Sequence, residues 1–109
     1  WATWCGPCRE ETPYLQTLHE TYSEWGLRVV GVSQDAPGSG SAIRAFMEEF
    51  GVTYTMLADP EMVAADRYGV IGLPATFLVD REGIIRQVVM GAATPGSEPF
   101  ESTIRSIVQ

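Results

Sequence analysis

Residues 1–13 of the chain read WATWCGPCREETP, and they contain its only two cysteines, Cys5 and Cys8. The apolar letters before Cys5 are typical of the end of a strand, and helical spacing of apolar residues runs from about residue 8 to residue 25. A cysteine at such a junction lies at a helix N-terminus, where unpaired N–H groups and the helix dipole favour its thiolate. Cys8 follows one turn later, and Pro7 stiffens the turn between them. The stretch therefore predicts a pair of sulfurs that can close a small disulfide ring.

The chemistry that suits such a thiol is exchange. Lowering a thiol pKa from ~8.5 to ~7 raises the thiolate fraction at neutral pH from about 3% to about 50%. Nucleophilicity falls roughly fivefold over the same shift, which leaves a net gain of only about threefold as an attacker. The lower pKa also improves the sulfur as a leaving group. The pair is therefore expected to attack disulfides and to be attacked in turn.

Composition is that of an ordinary folded domain, which we expect to span residues 1–109. Hydrophobic residues make up 45% of the chain and charged residues 19%, and the formal net charge is −7. The seven basic residues are all arginines and are scattered, which argues against nucleic acid or an anionic membrane as a partner. Because the chain opens on what looks like the end of a strand, we expect one or more strands to precede Trp1 in the full protein.

The remaining pattern alternates helices and strands. Gly26 is expected to end the first helix, which Pro13 should kink. LRVVGVSQD (27–35) suits a strand covered on both faces of a parallel sheet, and VTYTML (52–57) a short strand. Residues 75–91 predict a hairpin that turns at 80–83. Three further helices are predicted: one on the spacing of Ile43, Phe46, Met47 and Phe50, one in DPEMVAADRYG (59–69), and one on Phe100, Ile104, Ile107 and Val108. The fold class is therefore α/β, a mixed sheet with helices on both faces.

WATWCGPC followed by REETP resembles the active-site region of the thioredoxin superfamily. GLPATFLVD (72–80) is similar to the loop of that superfamily that carries a cis-proline, here Pro74. Within the superfamily, CREETP, GVSQD and the segment from DPE to DREG look like the TlpA/ResA-like redoxin branch, which is related to the AhpC/TSA proteins. The resemblance covers essentially the whole chain and implies a thioredoxin fold.

The resemblance implies a thiol–disulfide oxidoreductase that reduces disulfides of partner proteins through Cys5 and Cys8, without a cofactor or a metal. The substrate would lie against five further residues: Trp4, Gly6, Pro7, Leu73 and Pro74. Thioredoxins carry a buried acid near the second cysteine on the strand that would precede Trp1. Two carboxylates of this chain are candidates for proton transfer in its place, Glu11 and Asp35.

Branch members are typically exported or tethered to the bacterial cell envelope, and some reduce apocytochromes before haem attachment. The resemblance thus implies an envelope or periplasmic location, with a membrane anchor before Trp1 and a membrane-bound dithiol donor, although a cytoplasmic location stays open. We expect a monomer.

Other functions are also open. A thiol peroxidase on the same fold would resemble Pro-x-x-x-Thr/Ser-x-x-Cys, a pattern that neither cysteine carries. A recruitment module within a larger protein would need no redox chemistry, and such modules commonly lose one cysteine. A zinc site lacks ligands beyond one histidine, and a purely structural disulfide would close only a trivial loop.

Overall fold

The computed structural model describes all residues, 1–109, as alternating helices and strands. The helices are α1 (Gly6–Tyr22), α2 (Gly40–Phe50), α3 (Val63–Tyr68) and α4 (Phe100–Ile107), and a short 3-10 turn, Ser23–Trp25, follows α1. The strands are β1 (Val30–Ser33), β2 (Thr55–Ala58), β3 (Ala75–Val79) and β4 (Ile85–Met90). The predicted α/β class is confirmed.

The first helix begins earlier than its apolar spacing indicates. Cys5 has extended backbone angles and is the N-cap of α1, so the helix includes Gly6 and Pro7. Proline is tolerated there because the first helical N–H groups have no intrahelical acceptor. The helix continues through Pro13, and Gly26 ends the segment with a positive φ of 96°. The predicted stop at Gly26 is therefore correct.

The predicted mixed sheet is present in two parts. Strands β1 and β2 form a parallel pair with Val30 opposite Thr55, and β3 and β4 form the predicted hairpin with Ala75 opposite Met90. No strand of residues 1–109 bridges β1 and β3, so the two pairs are separate two-stranded sheets. An apolar cleft of ≈ 470 Å³ lies between them.

Trp1 pairs with the edge of β1 that β2 leaves open. The backbone nitrogen of Trp1 donates to Val32 O at 3.2 Å, and Gln34 N donates to Trp1 O at 2.8 Å. This is the hydrogen-bond pattern of a parallel ladder. The expectation that a strand precedes Trp1 stays a prediction.

The third helix differs from its sequence prediction. The pattern predicts that Asp59 caps the helix and that Pro60 begins it, but α3 starts at Val63. Asp59 still acts as a cap, because its carboxylate accepts hydrogen bonds from Val63 N (2.9 Å) and Ala65 N (3.1 Å). The side chain of Asp59 reaches across the turn that separates it from Val63, and the sequence pattern does not reveal this turn.

The largest core cluster packs α1 and α4 against the β3–β4 hairpin. It consists of Tyr14, Leu18, Leu78, Ala93, Phe100, Ile104 and Val108. Tyr14 also donates a hydrogen bond to Glu101 at 2.6 Å, which ties the two helices together. These contacts fix the axis of α1 and hence the position of its N-terminus. No helix is both long enough and apolar enough to cross a membrane.

Candidate active site

Cys5 and Cys8 form a disulfide within the first turn of α1, with their Cα atoms 5.3 Å apart. The Sγ atom of Cys5 accepts a hydrogen bond from Cys8 N at 3.3 Å. Cys5 is 6% exposed and Cys8 only 1%. The cysteine at the helix N-terminus is therefore the more exposed of the two, and the N–H that donates to its sulfur in the disulfide can stabilise its thiolate after reduction.

The loop before β3 lies against this disulfide. Leu73 packs on the small cluster formed by Ala2, Cys5 and Cys8. The peptide bond between Leu73 and Pro74 is cis, as the resemblance implies, and Pro74 is fully buried. Pro74 O accepts a hydrogen bond from Gly91 N at 2.9 Å, which anchors the loop to the end of β4. The structure thus packs Leu73 against the two cysteines, with Pro74 as its neighbour in the same loop.

The outer side of the disulfide is open. Trp4 is 71% exposed, and Gly6 and Pro7 are exposed as well. A Cβ atom built on Gly6 would meet no atom within 4 Å. Trp4, Gly6 and Pro7 therefore border the disulfide on a surface that a partner could approach, while their role in binding stays a prediction.

Glu11 lies on α1 three residues after Cys8 and is buried, with 4% of its surface exposed. Its Oε1 accepts a hydrogen bond from Ala93 N at 3.0 Å, and the side chain lines the apolar cleft. Desolvation raises the pKa of Glu11 above its ordinary value, and the Ala93 hydrogen bond opposes that rise only in part. A carboxyl group in this setting can take up a proton near neutral pH more readily than an exposed one.

Asp35 is in the opposite situation. Burial alone would raise its pKa, but hydrogen bonds from Ser33 and from the Thr3 hydroxyl and backbone N–H outweigh it, so the pKa of Asp35 is lowered. The environments of the two carboxylates thus shift their pKa values in opposite directions, upward for Glu11 and downward for Asp35.

Sequence reasoning missed several residues around the site. Arg9 forms an ion pair with Glu49 at 2.7 Å, and its guanidinium lies 5.4 and 5.0 Å from the ring centroids of Phe46 and Phe50. Arg9 thereby ties the start of α1 to α2. The position of Arg9 directly after Cys8 could have indicated a role near the site. Its aromatic partners, Phe46 and Phe50, lie about forty residues away in the sequence, so no local pattern shows the contact.

Tyr54 is a second such residue, which the sequence pattern places in a strand without a role. It is 4% exposed, and desolvation together with the negative charge of Glu11 raises its pKa to about 12. Tyr54 therefore stays neutral beside Glu11 and contributes to the low-polarity surroundings of that carboxyl group. No three His, Cys, Asp or Glu side chains come together as a metal site.

A disulfide closed within the first turn of a helix, beside a cis-proline loop in an α/β fold, defines a dithiol–disulfide protein of the thioredoxin class. The chain belongs to the AhpC/TSA family, whose sequence profile matches residues 1–88. It is 34% identical over 107 residues to the thiol-disulfide oxidoreductase ResA of Geobacillus kaustophilus. That alignment covers 98% of this chain and 59% of the relative, so the chain spans less than two thirds of the length of ResA. The resemblance to ResA-like redoxins is confirmed.

Solved structures agree on the fold. A candidate thiol:disulfide interchange protein DsbE from Chlorobium tepidum superposes with a TM-score of 0.89 at 33% identity, covering 100% of this chain and 76% of that one. A second Chlorobium tepidum protein, a thiol:disulfide interchange protein of the thioredoxin family, gives 0.81 at 26% identity, covering 99% and 75%. The predicted thioredoxin fold is therefore confirmed.

The buried carboxyl group predicts a pH dependence of stability. Because the pKa of Glu11 is raised above 4.5, the folded protein holds this proton to a higher pH than the unfolded chain does. The stability that neutral Glu11 contributes is present below pH 4.5 and is lost as the pH rises through the folded-state pKa. Glu11→Gln, which cannot ionise, should therefore exceed the wild type in free energy of unfolding by a margin that grows above pH 4.5.

Urea denaturation at a series of pH values measures this margin. The matched control is Glu10→Gln, which makes the same substitution at the exposed neighbour on the same helix. A margin for Glu11→Gln that is flat or shrinks as the pH rises would contradict the assignment.

Proposed function

We propose that this protein is a thiol–disulfide oxidoreductase that reduces disulfides of partner proteins through Cys5 and Cys8. The observation that carries the proposal is the disulfide in the first turn of α1, held against the Leu73–Pro74 loop and bordered by an open surface. The similarity to ResA supports the same chemistry for this chain.

The cycle begins with the pair in its dithiol form. The Cys5 thiolate attacks one sulfur of the partner's disulfide, so that a bond from Cys5 to that sulfur forms, the partner's own S–S bond breaks, and the other partner sulfur leaves as a thiolate that takes up a proton. The Cys8 thiolate then attacks Cys5, closing the disulfide seen here and expelling the partner sulfur that was bonded to Cys5 as a thiolate, which also takes up a proton. Two electrons have then passed from Cys5 and Cys8 to the partner, and an upstream dithiol donor must restore them.

Glu11 is the residue that we assign to proton transfer with Cys8. Cys8 is 1% exposed, so water reaches its thiol poorly, and a nearby base is needed before it can attack Cys5. Glu11 follows it by three residues on α1, which places the two side chains on the same side of the helix. Its raised pKa brings the carboxyl group closer to neutral pH, where it can exchange a proton with a thiol.

Binding of the partner strand is proposed to use the open side of the site. Trp4 borders the disulfide from the turn before α1, Gly6 and Pro7 from the start of α1, and Leu73 and Pro74 belong to the loop before β3. The backbone around Leu73 precedes the first paired residue of β3, Ala75, so it is available to an extended peptide.

Reduction is the direction that the residues favour. The Gly-Pro dipeptide between the cysteines resembles that of thioredoxin, whose potential is about −270 mV, rather than an oxidant such as DsbA at about −120 mV. For the whole protein we propose an envelope location, a membrane-bound dithiol donor, a monomeric state, and apocytochromes among the substrates. These proposals rest on the likeness to the TlpA/ResA branch.

The proposed function predicts a simple pattern of cysteine variants. The reduced wild type should catalyse the reduction of insulin by dithiothreitol, and Cys5→Ser should abolish it because no attacking thiolate remains. Cys8→Ser should accumulate mixed disulfides with partner proteins, since the resolving thiol is gone. Gel electrophoresis without reductant shows these adducts. A fully folded wild type that gives no turnover would overturn the proposal, and rapid peroxide consumption instead would favour the peroxidase alternative.

The assignment of Glu11 predicts a selective kinetic defect. Glu11→Gln should slow release of the partner from the Cys5 mixed disulfide by roughly 10²-fold at neutral pH, because the proton of Cys8 has lost its acceptor. The first attack by Cys5 should be nearly unchanged. Stopped-flow quenching measures both steps, with Glu10→Gln as the control. Equal release rates in the two variants would exclude Glu11 from this role.

A further inference from the structure

Asp35 lies two residues after β1 and is 5% exposed, yet its carboxylate is completely engaged. The backbone N–H of Thr3 donates to both oxygens, at 3.2 and 3.0 Å. The Thr3 hydroxyl donates to Oδ1 and the Ser33 hydroxyl to Oδ2, each at 2.5 Å. All of these partners donate, so Asp35 accepts on both oxygens and has no room for a proton of its own.

Thr3 occupies the turn that leads into the reactive disulfide. On its N-terminal side, Trp1 is paired with the edge of β1, where Gln34 N donates to Trp1 O at 2.8 Å. On its C-terminal side, Cys5 N donates to Ala2 O at 3.2 Å, which closes the turn around Thr3 and Trp4. Asp35 therefore joins the end of β1 to the residue two positions before Cys5.

This link holds the entry to α1 on the side that precedes the helix. Cys5 is the N-cap residue, with φ −90° and ψ 111°. Its carbonyl oxygen accepts the first helical hydrogen bond, from Arg9 N at 3.1 Å, whereas its N–H donates to Ala2 O in the turn before the helix. The hydrogen bond from Cys8 N to Cys5 Sγ depends on the backbone angles of Cys5, which the helix and the turn therefore set together. If the backbone of Thr3 were free to move, Cys5 would move with it, and the attacking sulfur would lose its orientation.

We propose that Asp35 is a positioning residue for the exchange reaction: by clamping Thr3 to the end of β1, it holds Cys5 at the N-terminus of α1 in its reactive orientation. The proposal rests on the proposed function and gives Asp35 a role different from proton transfer. Its lowered pKa agrees with this role, since the carboxylate stays ionised and does not exchange protons with Cys8.

The test uses variants that loosen the clamp in two independent ways. Asp35→Asn keeps the shape but introduces an amide NH2 against the donors of Thr3 and Ser33. Thr3→Val keeps the charge of Asp35 and removes one donor, while Thr3→Ser restores that donor. The matched control is Asp80→Asn, since Asp80 also accepts two backbone N–H bonds, from Glu82 at 2.9 Å and Ile84 at 3.0 Å, but in the remote β3–β4 turn.

The readouts are the rate at which iodoacetamide alkylates Cys5 in the reduced protein, the reduction potential of the pair against glutathione, and the melting temperature. We expect Asp35→Asn and Thr3→Val to slow alkylation at neutral pH about three- to tenfold and to shift the potential. Thr3→Ser should behave as the wild type. Asp80→Asn should lower the melting temperature with no change in alkylation or potential.

The proposal is overturned if folded Asp35→Asn and Thr3→Val keep the wild-type alkylation rate and potential, since the clamp would then be structural only. Faster alkylation in Asp35→Asn with no change in Thr3→Val would also overturn it, because Asp35 would then act as a charge. A defect of Asp35→Asn confined to release of the mixed disulfide, measured by stopped-flow quenching, would also overturn the proposal, because Asp35 would then act in proton transfer. Alkylation needs no protein substrate, so an inactive wild type in insulin reduction would refute the proposed function and leave this test intact.

Discussion

The hydrogen bond from Cys8 N to Cys5 Sγ is the interaction on which the site depends, and three parts of the fold hold its geometry. Asp35 anchors the preceding turn to β1 through Thr3. Leu73 packs on the disulfide from the loop before β3. Arg9 joins the first turn of α1 to Glu49 on α2. Contacts from both sheets and from α2 thus converge on one end of α1, while the outer side of the disulfide stays open.

Two carboxylates near this helix end differ because their surroundings differ. Glu11 faces an apolar cleft and has one backbone donor, so burial raises its pKa. Asp35 is equally buried but receives hydrogen bonds from Thr3 and Ser33, and its pKa is lowered. Counting acidic residues near the cysteines could not separate them. The number of donors that point at each carboxylate does, and it underlies the different roles that we propose for Glu11 and Asp35.

Much of the fold could be predicted from the sequence, because local sequence patterns determine it. The helical spacing before Trp25, the glycine at Gly26 and the hairpin around residues 80–83 each depend on neighbours within a few positions, and each was correct. The position of Cys5 at a helix N-terminus follows from the same local reading. The boundary of α3 was wrong because Asp59 caps it from four residues away.

The parts that could not be predicted rest on long-range contacts. The bonds from Thr3 to Asp35 cross 32 positions, and the bond from Ala93 to Glu11 crosses 82, and neither leaves a periodic trace in the sequence.

We expect Cys5, at the start of α1, to ionise easily. Titration of thiolate absorbance in reduced Cys8→Ser isolates this one sulfur and measures it directly, since the backbone N–H at position 8 can still donate to Cys5 Sγ. We expect a pKa clearly below the ~8.5 of a free cysteine. A pKa at or above that value would contradict it, because burial would then outweigh the helix N-terminus.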